Sequence, residues 1–305
     1  MVYELNYNAA EVPVLASGQS VFHYTSAEGL AGIASGEFWV TERHFLNDRS
    51  EFSVGTEVVL SVIRSHLGSS TECNRFCQAL EDEINRLESF GDLEDETAFF
   101  GDYVISLCLD RDNPLLWSEY SDFQGYCLEF DFDKLTASFE ERGLLFHGKV
   151  IYDRCEQEQI VEQVIMGDIL GIRGLKYIED WDSLTHLSDD QLEEVVSFIA
   201  VISSSFNMFF KRECFAGENE YRIVFSHIHD KGRVKDHERA VMETRINRGV
   251  LTPFVKTHFD PRCCIKSVTI GPKNSSDIAA EGLRYFFRNM KMNVEILKSE
   301  IPLRY

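Results

Sequence analysis

Short apolar runs of strand character alternate along the chain with longer stretches of helical periodicity. "SVFHYTS", residues 20–26, is apolar and β-prone up to its polar end and reads as a strand. "SAEGLAGIASG" follows as a helix: Ser26 caps it, Leu30 and Ile33 share a face, and Gly36 stops it. "EFWVTE" returns as a strand, and "FLNDRSEF" is polar and turn-like. There Asn47 and Asp48 fit an Asx turn at a strand-to-helix corner, and Asn47 equally fits the lining of a cleft beside His23. Residues 51–90 carry a helical period, notably in "VGTEVVLSVIRSHL" and "FCQALEDEINRLESF". "DYVISLCLD", "GYCLEFDFD" and "KVIYD" read as strands, with "NPLLWSEYSD" as a Pro-initiated helical turn among them. Residues 156–211 are helical and acidic, with a break near "THLSDD".

"FAGENEYRIVF", residues 215–225, opens a further strand, and polar, charged segments follow it. "CIKSVTIGP", a helix over "SSDIAAEGLRYFFRNM" and the segment "NVEILKSEIPLRY" close the chain. Strands and helices mix without a regular βαβ rhythm, which predicts an α+β fold. No repeat or low-complexity linker divides the chain. It reads as one elaborated domain over 1–305, with helical insertions near 51–90 and 156–211.

Composition narrows the partners. The net charge is -21, from 51 acidic and 30 basic residues, which argues against nucleic-acid binding by bulk electrostatics. No stretch approaches the ~18 to 20 uninterrupted apolar residues of a membrane span, and the first residues lack a signal-peptide pattern. The expectation is a cytoplasmic protein that does not enter a membrane. Eight scattered cysteines form no paired ligand framework, so reduced thiols and no metal are expected. "HIH" at 227–229 is a minor metal alternative.

Glu218 and Glu220 stand two apart before a β-prone run. In an extended chain such residues share a face, which predicts paired carboxylates at the mouth of a strand. Arg222 falls on the same face and offers a plain alternative, an ion pair with Glu220.

Three stretches taken in order, "FHYTSAEGLAGIASGEFWVTERHFLND", "ISLCLDRDNPLLWSEYSDFQGYCLEFD" and "FAGENEYRIVF", resemble a bacterial family, domain-of-unknown-function family 2971. That family in turn resembles the ADP-ribosyltransferase superfamily in layout. The resemblance implies a split, mostly antiparallel sheet and a cleft where His23, Ser106 and Glu220 converge. It implies NAD as substrate, with transfer of ADP-ribose to an acceptor that is a protein, a nucleic acid or a small molecule, as in a toxin or phage-defence effector. Ser106-Leu107-Cys108 departs from the superfamily pattern, having no Ser or Thr at the third position.

Cleaving the nicotinamide–ribose bond develops positive charge on the ribose, and a nearby carboxylate stabilises it. The resemblance gives that role to Glu220 and acceptor handling to Glu218. His23, Tyr24 and Thr25 would contact NAD from the first strand, with Asn47 beside them, and Ser106 would hold a ribose hydroxyl. Trp117 and Tyr120, three apart, would form an aromatic wall. The rival readings are an NAD glycohydrolase with water as acceptor, a non-catalytic ligand- or protein-binding module, and, last, a metal-dependent hydrolase using His23, Asp48, Glu51 and the later glutamates. Taken alone, Trp117 and Tyr120 also fit a plain core role, and Ser106 an ordinary strand serine.

Overall fold

The computed structural model describes residues 12–46, 51–89, 102–139, 144–171, 175–226, 241–247 and 249–303. Asn47, Asp48 and the 227–229 histidines lie outside the described residues, as does the side chain of Glu51. The chain divides into two compact units: Met1–Pro13, Leu46–Gly101 and Val150–Ala216 form one, and Val14–Phe45, Asp102–Lys149 and Gly217–Tyr305 the other.

The first unit is helical and gathers both stretches read as insertions. It holds α2 (Glu51–Leu67), α3 (Thr71–Ser89), α6 (Arg154–Gly171) and α7 (Asp189–Phe209). The break expected near "THLSDD" falls between a 3₁₀ turn over Asp182–Thr185 and a complete capping box at Ser188 and Gln191 that starts α7. Valines, isoleucines, leucines and phenylalanines at helical spacing, among them Val58, Val62, Phe76, Leu80, Ile199 and Phe206, form its interior. Gly55 lets α2 approach α7, since a Cβ there would meet the Asn207 nitrogen at 2.6 Å. The Asn207 amide then binds Thr56 through both its oxygen (3.1 Å) and its nitrogen (3.2 Å). Helix α7 is long and apolar enough to cross a membrane by length and composition, yet 61% of its apolar window is buried inside the protein. Of "KVIYD" only Lys149 belongs to a strand, as the last residue of Leu144–Lys149, and Ile151 makes an isolated bridge to Phe210.

The second unit is α+β. It contains β1 (Ser20–Thr25), α1 (Ala27–Ala34), β2 (Glu37–Glu42), β3 (Tyr103–Cys108), α4 (Pro114–Ser121), β4 (Tyr126–Asp131), α5 (Phe132–Phe139) and β5 (Leu144–Lys149). After these come β6 (Glu220–Ser226), β7 (Met242–Asn247), β8 (Val250–His258), α8 (Pro261–Cys264), β9 (Ile265–Ile270), α9 (Ser276–Asn289) and β10 (Glu295–Lys298). Among the described residues the sheet runs β10-β9-β4-β1-β3-β2-β8-β7, with β6 and β5 branching from β3. Every described pairing is antiparallel except β10 with β9.

Helix α5, the β7–β8 hairpin and the short α8 have no counterpart in the sequence reading. Helix α5 follows β4 directly, and the β7–β8 hairpin lies in the segment read only as polar and charged. That hairpin exposes Ile246, Val250 and Leu251 while burying Phe254 and Val255, so its apolar positions lack clean alternation.

Strand β3 is the branch point. It pairs with β6 over six residues, from Tyr103↔Phe225 to Cys108↔Glu220. Along its other edge it meets β2 at Thr41↔Val104 and Glu42↔Tyr103, and β1 only at Phe22↔Cys108. Two strands therefore share that edge, one at each end.

One face of the sheet packs Val21, Phe38, Ile105, Leu107, Leu128, Phe130, Tyr221 and Ile223 against apolar residues of α1, α5 and α9. The other carries a smaller cluster of Tyr24, Cys108, Leu116, Trp117 and Cys127 under α4. Helix α1 is capped as the sequence predicts, the Ser26 hydroxyl accepting from the Gly29 amide. Gly36 ends that segment at φ +93°, where a Cβ would also meet the Phe259 carbonyl at 2.8 Å. Gly36→Ala is therefore expected to cost on the order of 2 kcal/mol or more in denaturant unfolding; a loss under half that would show that this turn adapts to a side chain.

Candidate functional site

Strand register assembles one transverse row of side chains. Ser267, Glu129, Phe22, Cys108 and Glu220 are successive cross-strand partners over β9, β4, β1, β3 and β6. Directly opposed residues project to the same face, so these five side chains share one face of the sheet. Ser106 and Arg222, also partners, lie on that face one pleat further along.

The loop after β3 ties the three motif stretches together on this face. The Tyr24 hydroxyl donates to the Asp110 carbonyl (2.9 Å) and accepts from the Asn113 amide (2.8 Å). The Asn113 side chain caps α4 at Leu115 N and donates to the Gly217 carbonyl at 2.8 Å. Leu109 N–H donates to the Asn219 carbonyl at 3.0 Å. Asp112 anchors α4 to the chain's end: it accepts from the Trp117 indole, the Ser299 hydroxyl and the Glu300 amide, each at 2.7 Å. An open cleft of about 610 Å³ lies here, lined by Phe22, Glu129 and the 109–114 loop.

Glu220 is the buried carboxylate of the row. It is 6% exposed and its partner Arg222 is 1% exposed. The guanidinium grips both oxygens, Nε to Oε1 at 2.8 Å and Nη2 to Oε2 at 2.9 Å. The expectation that Glu218 projects beside Glu220 fails for a backbone reason. Glu218 ends a 3₁₀ turn over Glu213–Glu218, and Asn219 sits at φ +44°, so the strand begins only at Glu220. Two-residue alternation does not cross a left-handed residue. Glu218 is half-buried and Glu220 is enclosed.

The structure does not bring His23 to this face. His23 opposes Leu128, on the core side, and packs edge-on to Phe38 with ring centroids 5.6 Å apart. Its Nδ1–H donates to the Ser106 carbonyl at 3.2 Å, filling the seam where β1 leaves β3. Thr25 returns to the same side, against Gly29. The Ser106 hydroxyl is half-buried on the Glu220 face and makes no hydrogen bond among the described residues.

Trp117 and Tyr120 form no common wall. Trp117 is fully buried, edge-on to Tyr24 at 4.8 Å, whereas Tyr120 is 41% exposed. A helical offset of three residues is 300°, close enough to share a stripe but not to share an environment at its margin. The turn after α4 places Asp122 (φ +47°) and Phe123 (φ +63°) in the left-handed region, held by the Trp117 carbonyl and by Lys273, whose amide donates to Phe123 O.

Sequence reasoning missed Glu129. Its carboxylate accepts from Ser267 Oγ at 2.6 Å and Ser20 Oγ at 2.7 Å, with the Lys266 ammonium 3.4 Å away. Burial alone would raise its pKa; the two hydroxyls and the ammonium override that and hold it below the usual carboxylate range. The available signal was the alternation of "YCLEFD", which sets Glu129 on the side of Cys127. Cys108 is no thiolate nucleophile, because burial above all pushes its pKa up to about 12. Among the described residues no group of three or more His, Cys, Asp or Glu side chains is arranged to hold a metal ion.

Residues 116–223 match the family model described as "Protein of unknown function (DUF2971)". The matched stretch runs from α4 into β6, so it includes Trp117, Glu129, Glu220 and Arg222 but neither His23 nor Ser106. No curated protein matches the chain, and no solved structure does.

The placement of His23 has a consequence for stability. Burial above all, with the Arg245 charge adding to it and the Ser106 carbonyl opposing it, lowers its pKa from 6.5 to about 4. The unfolded chain then binds the proton more readily, so stability falls as the pH drops from 6.5 and levels off below 4. The loss is at most about 3 kcal/mol, and less to the extent that the ring edge stays wetted. In His23→Gln the urea midpoint is expected to lose this component of its slope over pH 4 to 6.5; an unchanged slope would place the titration elsewhere.

Proposed function

We propose that the second unit cleaves NAD at the nicotinamide–ribose bond, in the manner of an ADP-ribosyltransferase, with Glu220 as the carboxylate that stabilises the developing ribosyl cation. One observation carries this reading. Three stretches far apart in sequence, around residues 22–24, 106–117 and 217–222, meet on one face beside an open cleft, and a buried carboxylate stands at their junction. Packing alone does not require an ion pair there, since apolar residues would fill the space without the desolvation cost of two charges. The shared edge of β3, where β1 and β2 diverge, also fits the split sheet of that superfamily.

In this reading Arg222 fixes the orientation of the Glu220 carboxylate, so that it faces the ribose without reorganising during bond cleavage. The free hydroxyl of Ser106, one pleat away, binds a ribose hydroxyl. Glu218, on its separate turn, serves the acceptor, and water in its place makes the protein a glycohydrolase. His23 acts through the Ser106 carbonyl as a positioning residue. Regarding composition, the acidic chain favours a protein or a small molecule as acceptor over bulk nucleic acid.

A second reading, a non-catalytic binding module, rests on the same ion pair, because Arg222 already holds both oxygens of Glu220. Labelled NAD, with and without cell lysate, separates the two. Removing one member of a buried pair costs ~3 kcal/mol or more, so Glu220→Gln is assayed beside the Glu220→Gln/Arg222→Gln double variant, which removes both charges. The folded double variant is expected to lose NAD cleavage 100- to 1000-fold, the typical loss of about 3 to 4 kcal/mol of transition-state stabilisation. Glu218→Gln is expected to reduce labelling of the lysate while sparing NAD hydrolysis. Wild-type activity in the double variant, or a wild-type protein that neither binds nor consumes NAD, would leave the binding-module reading in its place.

A further inference from the structure

The β2–β8–β7 part of the sheet carries an arrangement that the proposed chemistry leaves unused. Trp39 and Phe254 stack with ring centroids 4.7 Å apart, and Trp39 is 44% exposed. The Arg245 guanidinium reaches across Phe254, its carbon 5.6 Å from that ring and 5.7 Å from Trp39, and donates from Nη2 to Thr41 Oγ1 at 2.9 Å. Its buried Nε–H has no acceptor, and no carboxylate pairs with it among the described residues.

That isolation is unusual on this chain, where acidic residues outnumber basic ones 51 to 30. The neighbouring Lys256, by contrast, is neutralised by Glu243 at 2.9 Å. Buried guanidinium N–H groups are normally satisfied, and an uncompensated one beside the exposed Trp39 indole is the equipment of an anion-and-ring site. Register places the cluster on the face of Glu220: Arg245 opposes Thr252, Phe254 opposes Thr41, Thr41 opposes Val104, and Val104 stands two residues before Ser106.

We propose that Arg245, Thr41 and Trp39 form a binding site for a nucleoside diphosphate, with the diphosphate on the Arg245 fork and the base on the Trp39 ring. In taking the ADP half of a dinucleotide as its natural occupant, the site rests on the NAD reading above. An aromatic platform accepts any base, and the charged fork grips two phosphate oxygens at once.

Titration calorimetry with ADP, inorganic pyrophosphate and adenosine tests it. Wild-type protein binds ADP. Arg245→Gln weakens ADP and pyrophosphate at least tenfold and leaves adenosine nearly unchanged. Trp39→Ala weakens ADP and adenosine by a similar factor and spares pyrophosphate. Lys256→Gln, whose charge is already paired, changes none of the three by more than about twofold. Thermal melts confirm that each variant is folded, and Arg245→Lys, which keeps the charge without the fork, gives intermediate binding if Arg245→Gln is not. ADP binding with this pattern in a protein that does not cleave NAD upholds the site and removes only the catalytic reading. NAD cleavage whose KM is unmoved by Arg245→Gln and Trp39→Ala, or ADP affinity indifferent to both, overturns the site.

Discussion

A hydrogen bond from the His23 imidazole to the Ser106 carbonyl closes the seam on which this sheet depends. Strand β3 has β6 along one whole edge, while β1 and β2 divide the other, so the carbonyls between them lack a regular ladder partner. A buried carbonyl without a donor costs ~1 to 3 kcal/mol, and a side chain that supplies the donor stabilises the divergence itself. The ring pays with its charge: burial keeps it neutral at physiological pH. The seam thus explains why a histidine occupies a core-facing position, while its neighbour on the opposite face, Phe22, lines the cleft.

The same branching concentrates polar groups on one face. Glu220, Arg222, Glu129 and Ser106 all stand on the sheet face opposite the main apolar core. Each charge is matched to donors or to an opposite charge, at distances between 2.6 and 2.9 Å for Glu220 with Arg222 and for Glu129 with its two serines. Such pairs rarely add net stability over apolar packing, because desolvation offsets their attraction. In the proposed reading their concentration on this face serves chemistry on a ligand.

Local structure was legible in the sequence, and relative placement was not. The Ser26 cap, the Gly36 stop and the Pro114 start are each written in one or two residues and occur as expected. Which face a strand residue takes depends on its partners, which lie up to two hundred residues away. His23 and Ser106 therefore seemed to converge, whereas the register puts their side chains on opposite faces and joins them only through a backbone carbonyl. Glu218 and Glu220 were misread for a local reason: Asn219 adopts a left-handed turn that asparagine tolerates and that the sequence "GENE" only hints at. The β7–β8 hairpin and its Arg245 escaped because a strand exposed along much of its length lacks the alternation by which strands are recognised. The resemblance gives Trp117 a ligand wall and the residues taken alone give it a core role; it is buried, and its indole bond to Asp112 makes it a core anchor.

The central claim is that the three motif stretches form one NAD site, and hydrogen exchange with and without NAD measures that most directly. Saturating NAD is expected to slow exchange together in residues 20–25, 105–114 and 217–223, with little change in α3 and α7 of the helical unit. NAD that leaves those three segments unaltered, or that protects only one of them, would contradict the account.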